Sequence, residues 1–150
     1  MRAIAKKLGL RIQFVGTDFF GLLAQVESGR FDVGSASINA TEERRRMVGF
    51  TNGYDFGYMA LVVPAGSGIT GFDALARGQR IAVVQGTVED AYVVDTLEIE
   101  PVRFPDSITL YASLKSRQVD AWVAPSLTAL NLLKPGDPAQ IIGYTFTQAG

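Results

Sequence analysis

The hydrophobic positions of the chain form short apolar runs that alternate with amphipathic stretches. The apolar runs predict strands at residues 11–15, 31–34, 58–63, 80–84, 101–104, 119–124 and 140–144. Helical spacing of apolar residues predicts helices at residues 1–8, 20–28, 72–77, from 88 onward, 107–116 and 125–133. Because helices and strands alternate through short connections, we predict an α/β fold with a parallel sheet.

The pattern changes near residues 53–58, where two glycines and three aromatic residues interrupt the alternation. We predict a partial first lobe at residues 1–55 and a nearly complete second lobe at residues 56–149. The first predicted element is the tail of a helix, and no capping element follows the last strand. We therefore expect this sequence to be a fragment, or the ordered part of a longer protein.

Composition narrows the possible functions. A chain of 150 residues with 47% hydrophobic and 19% charged residues is typical of one soluble globular unit or of two small lobes. The net charge of −1 gives no electrostatic support for nucleic-acid binding. The sequence contains no cysteine and no histidine, which excludes disulfides, cysteine zinc sites and Ser-His-Asp catalysis. Residues 1–10 predict an amphipathic helix rather than a signal peptide, and no apolar run approaches the ~20 residues of a membrane span.

The turn at residues 85–87, Gln-Gly-Thr, follows an apolar strand and opens a helix. Thr87 is predicted to cap this helix, with Asp90 completing a pair that resembles a capping box. The amides of Val88 and Glu89 would then favour a carboxylate or phosphate. The alternative is an ordinary capped helix, and the turn lacks the glycines and lysine of a nucleotide-binding loop.

Residues 35–46, SASINATEERRR, form a polar stretch with three consecutive arginines. Thr41 is predicted to cap a short helical turn that carries Arg44. The Arg44 guanidinium could bind a carboxylate through two parallel hydrogen bonds. The alternative is a solvated charged face in which Glu42 and Glu43 are its partners.

Several segments follow one another in a recognisable order: MRAIAKKLGL, DFFGLL, SGRFDVGSASINATEERRRMVGFTNGY, QRIAVVQGTVEDAY and LKSRQVDAWVA. This succession resembles the extracytoplasmic amino-acid-binding proteins of ABC importers, bacterial solute-binding protein family 3. The resemblance implies a two-lobed type II periplasmic-binding fold (a Venus flytrap) that closes over one small solute. It also implies delivery of that solute to a membrane permease, with no catalysis and no cofactor. The expected location is periplasmic or extracellular, free or lipid-anchored, with a signal peptide in the full-length protein.

The resemblance also assigns ligand contacts. In the first lobe these are Arg44 as carboxylate clamp, the Ser37 carbonyl, the Asn39 side chain and amide, and Phe19 packing on the ligand. In the second lobe they are Thr87, the Val88 amide and Gln85 beside them. Hinge strands are expected near residues 53–58 and 148–150.

One position departs from the family pattern. Where the family places an aspartate that pairs with the α-ammonium of the ligand, this chain has Pro125. Because a desolvated ammonium needs a carboxylate partner, either Glu89, Asp90 or Asp55 replaces the aspartate, or the solute lacks a standard α-amino group. The resemblance also implies that the first strand of lobe 1, which supplies further ligand contacts in the family, is absent from this sequence.

Two alternative functions use the same fold. One is an enzyme of the cyclohexadienyl or arogenate dehydratase type, although the sequence places no evident general acid at the predicted site. The other is a ligand-sensing domain of a membrane receptor, in which the same lobes would signal rather than deliver.

Overall fold

The computed structural model describes residues 1–54 and 57–146. The helices are α1 (Arg2–Lys7), α2 (Phe19–Glu27), α3 (Glu42–Met47), α4 (Val88–Asp95), α5 (Ser107–Lys115) and α6 (Ser126–Leu132). The strands are β1 (Tyr58–Pro64), β2 (Ile81–Val84), β3 (Val102–Phe104), β4 (Ala121–Pro125) and β5 (Ala139–Phe146). The α/β class predicted from the sequence is confirmed.

The strands form one five-stranded sheet in the order β3-β2-β4-β1-β5. Strand β2 pairs in parallel with β3 and β4, whereas β1 pairs in antiparallel fashion with β4 and β5. The prediction of a parallel sheet is therefore wrong for β1. The physical reason is the β1–β2 connection: the helix predicted at residues 72–77 is only a 3-10 turn at Phe72–Ala74. Without a helical crossover, the chain reverses direction between β1 and β2.

The predicted strands at residues 11–15 and 31–34 are also wrong, since neither segment forms a strand. An apolar run predicts an extended backbone, but a strand additionally needs a neighbouring strand to receive its hydrogen bonds. Among the described residues, every paired strand lies between residues 58 and 146.

The three central strands, β2, β4 and β1, are buried on both faces of the sheet. In β1, Ala60 and Val62 face a cluster that contains Trp122, while Met59, Leu61 and Val63 face a second cluster. Successive side chains of a strand point to opposite faces, so a strand buried on both sides is apolar throughout. This is why β1, β2 and β4 read as continuous apolar runs.

Residues 1–54 differ from the rest because they bury little of their own apolar surface. Their only buried hydrophobic residues are Ala5 and Leu22. Large exposed hydrophobic side chains here include Leu8, Leu10, Phe14, Val15, Phe20 and Val33. Phe19 is partly buried and packs on the cluster around Trp122, which brings the start of α2 against the sheet.

Two predictions fall on undescribed residues. The expected hinge strands include residues 55–56 and 148–150, which lie outside the described part of the chain. Asp55, one of the proposed ammonium partners, lies there too. In the described part of the chain, no helix has the length and apolarity needed to cross a membrane.

Candidate functional site

The turn at residues 85–87 leads from β2 into α4, and Thr87 caps the helix as predicted. The Thr87 hydroxyl accepts a hydrogen bond from the Asp90 amide at 3.3 Å and donates one to the Val84 carbonyl at 2.9 Å. Because its proton is used inside the turn, the groups left for an anion at this helix end are backbone amides. Among the described residues, the Val88 amide has no hydrogen-bond acceptor.

Asp90 holds the turn in place. Its carboxylate accepts a hydrogen bond from the Gly86 amide at 2.9 Å. This differs from a capping box, in which it would accept from the Thr87 amide, because that amide donates to the Val84 carbonyl at 3.3 Å. Arg103 of β3 donates its Nε–H to both Asp90 oxygens, at 3.0 and 3.1 Å. Arg103 also binds Glu100. Asp90 therefore has its charge satisfied by protein groups.

Arg44 is brought to this turn by α3. Thr41 caps α3 by accepting a hydrogen bond from the Arg44 amide at 3.3 Å. The guanidinium donates to the Asn39 carbonyl at 2.9 Å and to the Gly86 carbonyl at 2.9 Å. It also lies 5.5 Å from the centre of the Phe19 ring, within range of a cation–π interaction. Arg44 thus connects two segments that are 42 residues apart in sequence.

The neighbouring arginines lie elsewhere. Arg45 donates to the Ala40 carbonyl at 3.0 Å, and Arg46 forms an exposed ion pair with Glu42 at 3.0 Å. Partial burial lowers the pKa of Arg44, while Glu89 and then Glu43 oppose that shift. Of the three consecutive arginines, Arg44 is the one that contacts the turn at residues 85–87.

Glu89 is the unexpected charged group of the site. It is only 4% exposed, although it lies in the first turn of α4. Burial raises the pKa of its carboxyl group, and its own backbone amide and the charge of Arg44 partly oppose this rise. The sequence places Glu89 on the helix but contains no local signal that it would be buried.

The remaining predicted ligand contacts differ from one another in burial and in hydrogen bonding. Asn39 contributes its carbonyl to Arg44, and Ser37 is exposed with a positive φ of 47°, a conformation that residues other than glycine rarely adopt. Gln85 is exposed and its amide donates to the Phe104 carbonyl at 2.9 Å. Pro125 lies at the end of β4 and precedes α6.

Gly86 was not singled out by the sequence. Its φ is +75°, and a Cβ atom at this position would lie 2.7 Å from Cδ2 of Phe20. A glycine is therefore needed both for the backbone conformation and for the close approach of α2. The strand–glycine–helix pattern could have indicated the positive φ, but not the aromatic neighbour.

No metal centre is evident in residues 1–54 and 57–146, where no group of three acidic side chains is placed to hold an ion. The anion-favouring features are the Arg44 guanidinium and the amide end of α4. The acidic group of the site is the buried carboxyl group of Glu89. Arg44 and the amide end of α4 therefore favour a negatively charged group at this site.

A family model described as bacterial extracellular solute-binding proteins, family 3, matches residues 1–139. The chain belongs to this family. The family description specifies extracellular proteins, which agrees with the periplasmic or extracellular location expected from the sequence.

Curated relatives of this chain are named as amino-acid-binding proteins. A probable histidine-binding protein of Campylobacter jejuni is 31% identical over 98% of this chain and 57% of its own length. The L-cystine-binding protein TcyJ of Escherichia coli is 28% identical over 97% of this chain and 56% of its own length. The chain thus spans a little more than half the length of these curated relatives.

Solved structures agree with the fold. An ancestral arginine-binding protein bound to arginine superposes with a TM-score of 0.87 at 31% identity, covering 98% of this chain and 67% of that one. The holo form of ArgBP from T. maritima superposes with a TM-score of 0.89 at 28% identity, covering 97% and 65%. Both solved structures share the fold of this chain over about two thirds of their own length.

Proposed function

We propose that this protein is a non-catalytic receptor that binds a small carboxylate-bearing solute, an amino acid or a derivative, and delivers it to an ABC permease. The solute would lie between the predicted lobes, at residues 1–55 and 56–149. The observation that carries the proposal is the hydrogen bond from Arg44 to the Gly86 carbonyl at 2.9 Å. It places a partly buried guanidinium at the amide end of α4.

The electrostatics favour an anion at this place. A guanidinium forms strong, directional hydrogen bonds with a carboxylate, and a helix N-terminus adds a partial positive charge and free amides. Arg44 and α4 belong to different segments of the chain. A carboxylate that both bind would therefore couple solute binding to the approach of those segments.

The relatives support the amino-acid class. Their names specify histidine, cystine and arginine, so the shared feature of their ligands is an amino acid head group rather than one side chain. Delivery to a permease and the absence of catalysis are inferred from the family membership of the chain.

The test is isothermal titration calorimetry on the natural gene product that contains this chain, with L-arginine, L-histidine and L-cystine as probes. The Arg44→Ala variant should weaken binding of any probe at least about tenfold, because charged hydrogen bonds are worth about 1.5–3 kcal/mol each. Arg46→Ala is the matched control, since Arg46 is exposed and pairs with Glu42. Equal affinities of the two variants would contradict the role of Arg44.

A separate assay addresses catalysis. Incubation of the same protein with prephenate or arogenate should give no product. Turnover of either compound would favour the dehydratase alternative over a receptor.

A further inference from the structure

The turn between β2 and α4 is supported by the neighbouring strand β3, which lies at one edge of the sheet. The Gln85 amide donates a hydrogen bond to the Phe104 carbonyl of β3 at 2.9 Å. The next amide, that of Gly86, donates to an Asp90 oxygen at 2.9 Å, and Asp90 is held by Arg103 of the same strand. Two successive amides of the turn therefore depend on β3, one directly and one through an ion pair.

Arg103 fixes the orientation of the Asp90 carboxylate because its guanidinium binds two acidic side chains at once. Its Nε–H is shared between both Asp90 oxygens, at 3.0 and 3.1 Å, while Nη1 binds Glu100. A planar guanidinium held through two of its nitrogens has little freedom to rotate. Since Asp90 is buried, water competes little for its oxygens, and the acceptor of the Gly86 amide stays where Arg103 places it.

Gly86 connects this ion pair to the candidate site. Its amide is bound by Asp90, and its carbonyl accepts a hydrogen bond from Arg44 at 2.9 Å. Its φ of +75° lies in a region that glycine adopts more readily than other residues. The hydrogen-bonded contacts Arg103–Asp90, Asp90–Gly86 and Gly86–Arg44 thus form a continuous series from the edge strand to the guanidinium of the proposed clamp.

The peptide groups after Gly86 lead to the free amide of α4. The Thr87 amide donates to the Val84 carbonyl at 3.3 Å, and the Val88 amide has no acceptor among the described residues. Because each peptide unit is planar, the units held before Val88 limit the directions in which its N–H can point. The same turn therefore sets both the carbonyl that Arg44 contacts and the amide that is left for an anion.

On this basis, and resting on the proposed function, we infer that Arg103 is a positioning residue for the carboxylate-binding groups, acting through Asp90 on the Gly86 peptide. Among the described residues, the Arg103 side chain bonds only to Asp90 and Glu100, so its effect on a solute passes through the turn. Loss of its support would let the Gly86 peptide rotate, which displaces the carbonyl bound by Arg44 and the free amide of Val88 together. The effect should therefore fall on the carboxylate of the solute and not on the rest of the molecule.

The experiment pairs each probe of the calorimetric test with its carboxamide, on the natural gene product that contains this chain. The probes are L-arginine, L-histidine and L-cystine, and in each carboxamide a neutral group replaces the carboxylate. The ratio of the carboxamide dissociation constant to that of the acid measures what the carboxylate contributes. Arg103→Lys should lower this ratio about 2- to 30-fold, the range for residues that act on a site without touching its ligand.

Arg103→Lys is informative because it retains the positive charge. One ammonium group cannot hold Asp90 and Glu100 through separate nitrogens, so the orientation of Asp90 is lost while much of its charge compensation remains. Arg77→Lys is the matched control, since Arg77 forms an exposed ion pair with Glu98, and it should leave the ratio unchanged. A loss of folded protein would weaken acid and carboxamide equally, which separates positioning from a purely structural role.

A second measurement needs no solute. Amide hydrogen exchange, followed by NMR of the 15N-labelled protein, reports whether the Gly86 N–H is still held by Asp90. In Arg103→Lys the Gly86 amide should exchange faster than in the wild-type protein. The Thr109 amide, which is bound by Asp106 at 2.8 Å, should keep its rate and serves as the internal reference.

The outcomes separate this inference from the proposed function. If Arg103→Lys leaves the ratio at its wild-type value, weakens acid and carboxamide equally, or leaves Gly86 exchange unchanged, the positioning role is overturned and the proposed function stands. If the wild-type protein binds none of the three amino acids, or binds each carboxamide as tightly as its acid, the carboxylate clamp fails and the positioning role fails with it. The first failure is visible only between variants, whereas the second is visible in the wild-type protein alone.

Discussion

Removal of the Arg103 side chain should destabilise the protein by leaving the Asp90 carboxylate without its cation. In the structure, Arg103 Nε lies 3.0 and 3.1 Å from the two Asp90 oxygens. The Asp90 side chain is 11% exposed and that of Arg103 is 34% exposed. Asp90 in turn holds the amide of Gly86, so the pair supports the turn that Arg44 contacts.

The expected size of the effect follows from these exposures. Removing one partner of a fully buried ion pair costs about 3–5 kcal/mol, whereas exposed pairs contribute about 0–1 kcal/mol. Because water reaches a third of Arg103, we expect Arg103→Ala to lower the free energy of unfolding by about 2 kcal/mol. For a domain of this size, that corresponds to a fall in the melting temperature of about 4–8 °C.

The natural control is Arg77→Ala. Arg77 pairs with Glu98 at 2.9 Å, but the two side chains are 76% and 74% exposed, so its removal should change stability by less than about 0.5 kcal/mol. Urea unfolding can be followed by the fluorescence of Trp122, which is the single tryptophan of the chain and is fully buried in β4. A loss in Arg103→Ala no larger than that in Arg77→Ala would refute the reasoning.

Two further predictions concern pH. Burial raises the pKa of Glu89 above its ordinary value of 4.5, so the folded state binds its proton more strongly and the free energy of unfolding should fall as pH rises from about 4.5 through the raised pKa. Glu89→Gln should remove this decline and be the more stable protein at pH 7, whereas an unchanged urea midpoint across that range would argue against a buried carboxyl group. The second prediction concerns Asp106, whose carboxylate accepts hydrogen bonds from the amides of Ile108 and Thr109 at 2.8 Å each. These hydrogen bonds, chiefly the one from the Thr109 amide, lower the pKa of Asp106 below its ordinary value of 3.8. Asp106→Ala should lower stability by about 1 kcal/mol near neutral pH, and the difference should shrink as pH falls below 3.8 through the lowered pKa. A constant difference between pH 7 and pH 2 would mean that the ionised cap is not responsible.

Local features of the sequence predicted most of the second part of the chain. The apolar runs at residues 58–63, 80–84 and 119–124 lie in or beside β1, β2 and β4, because strands buried on both faces are apolar throughout. Thr87 is predicted correctly as the cap of α4, because helix capping depends on residues only a few positions apart.

Predictions that depend on pairing with a distant segment of the chain were less accurate. The runs at residues 11–15 and 31–34 form no strand, and β1 runs antiparallel to β4 and β5. Periodicity reports which side chains are apolar, but the direction of a strand depends on the connection before it, and its existence depends on a neighbour.

The candidate site shows the same division. The residues by themselves indicated Arg44 and the turn at residues 85–87 as candidate anion-binding groups, and the resemblance to the family singled out Pro125, where the family places an aspartate. Only the tertiary structure decided that Arg44 meets the Gly86 carbonyl, that Arg103 neutralises Asp90, and that Glu89 is buried without an ion pair. Burial and charge pairing are properties of surfaces assembled from distant segments, so they are determined by how those segments pack and not by the order of residues around any one of them.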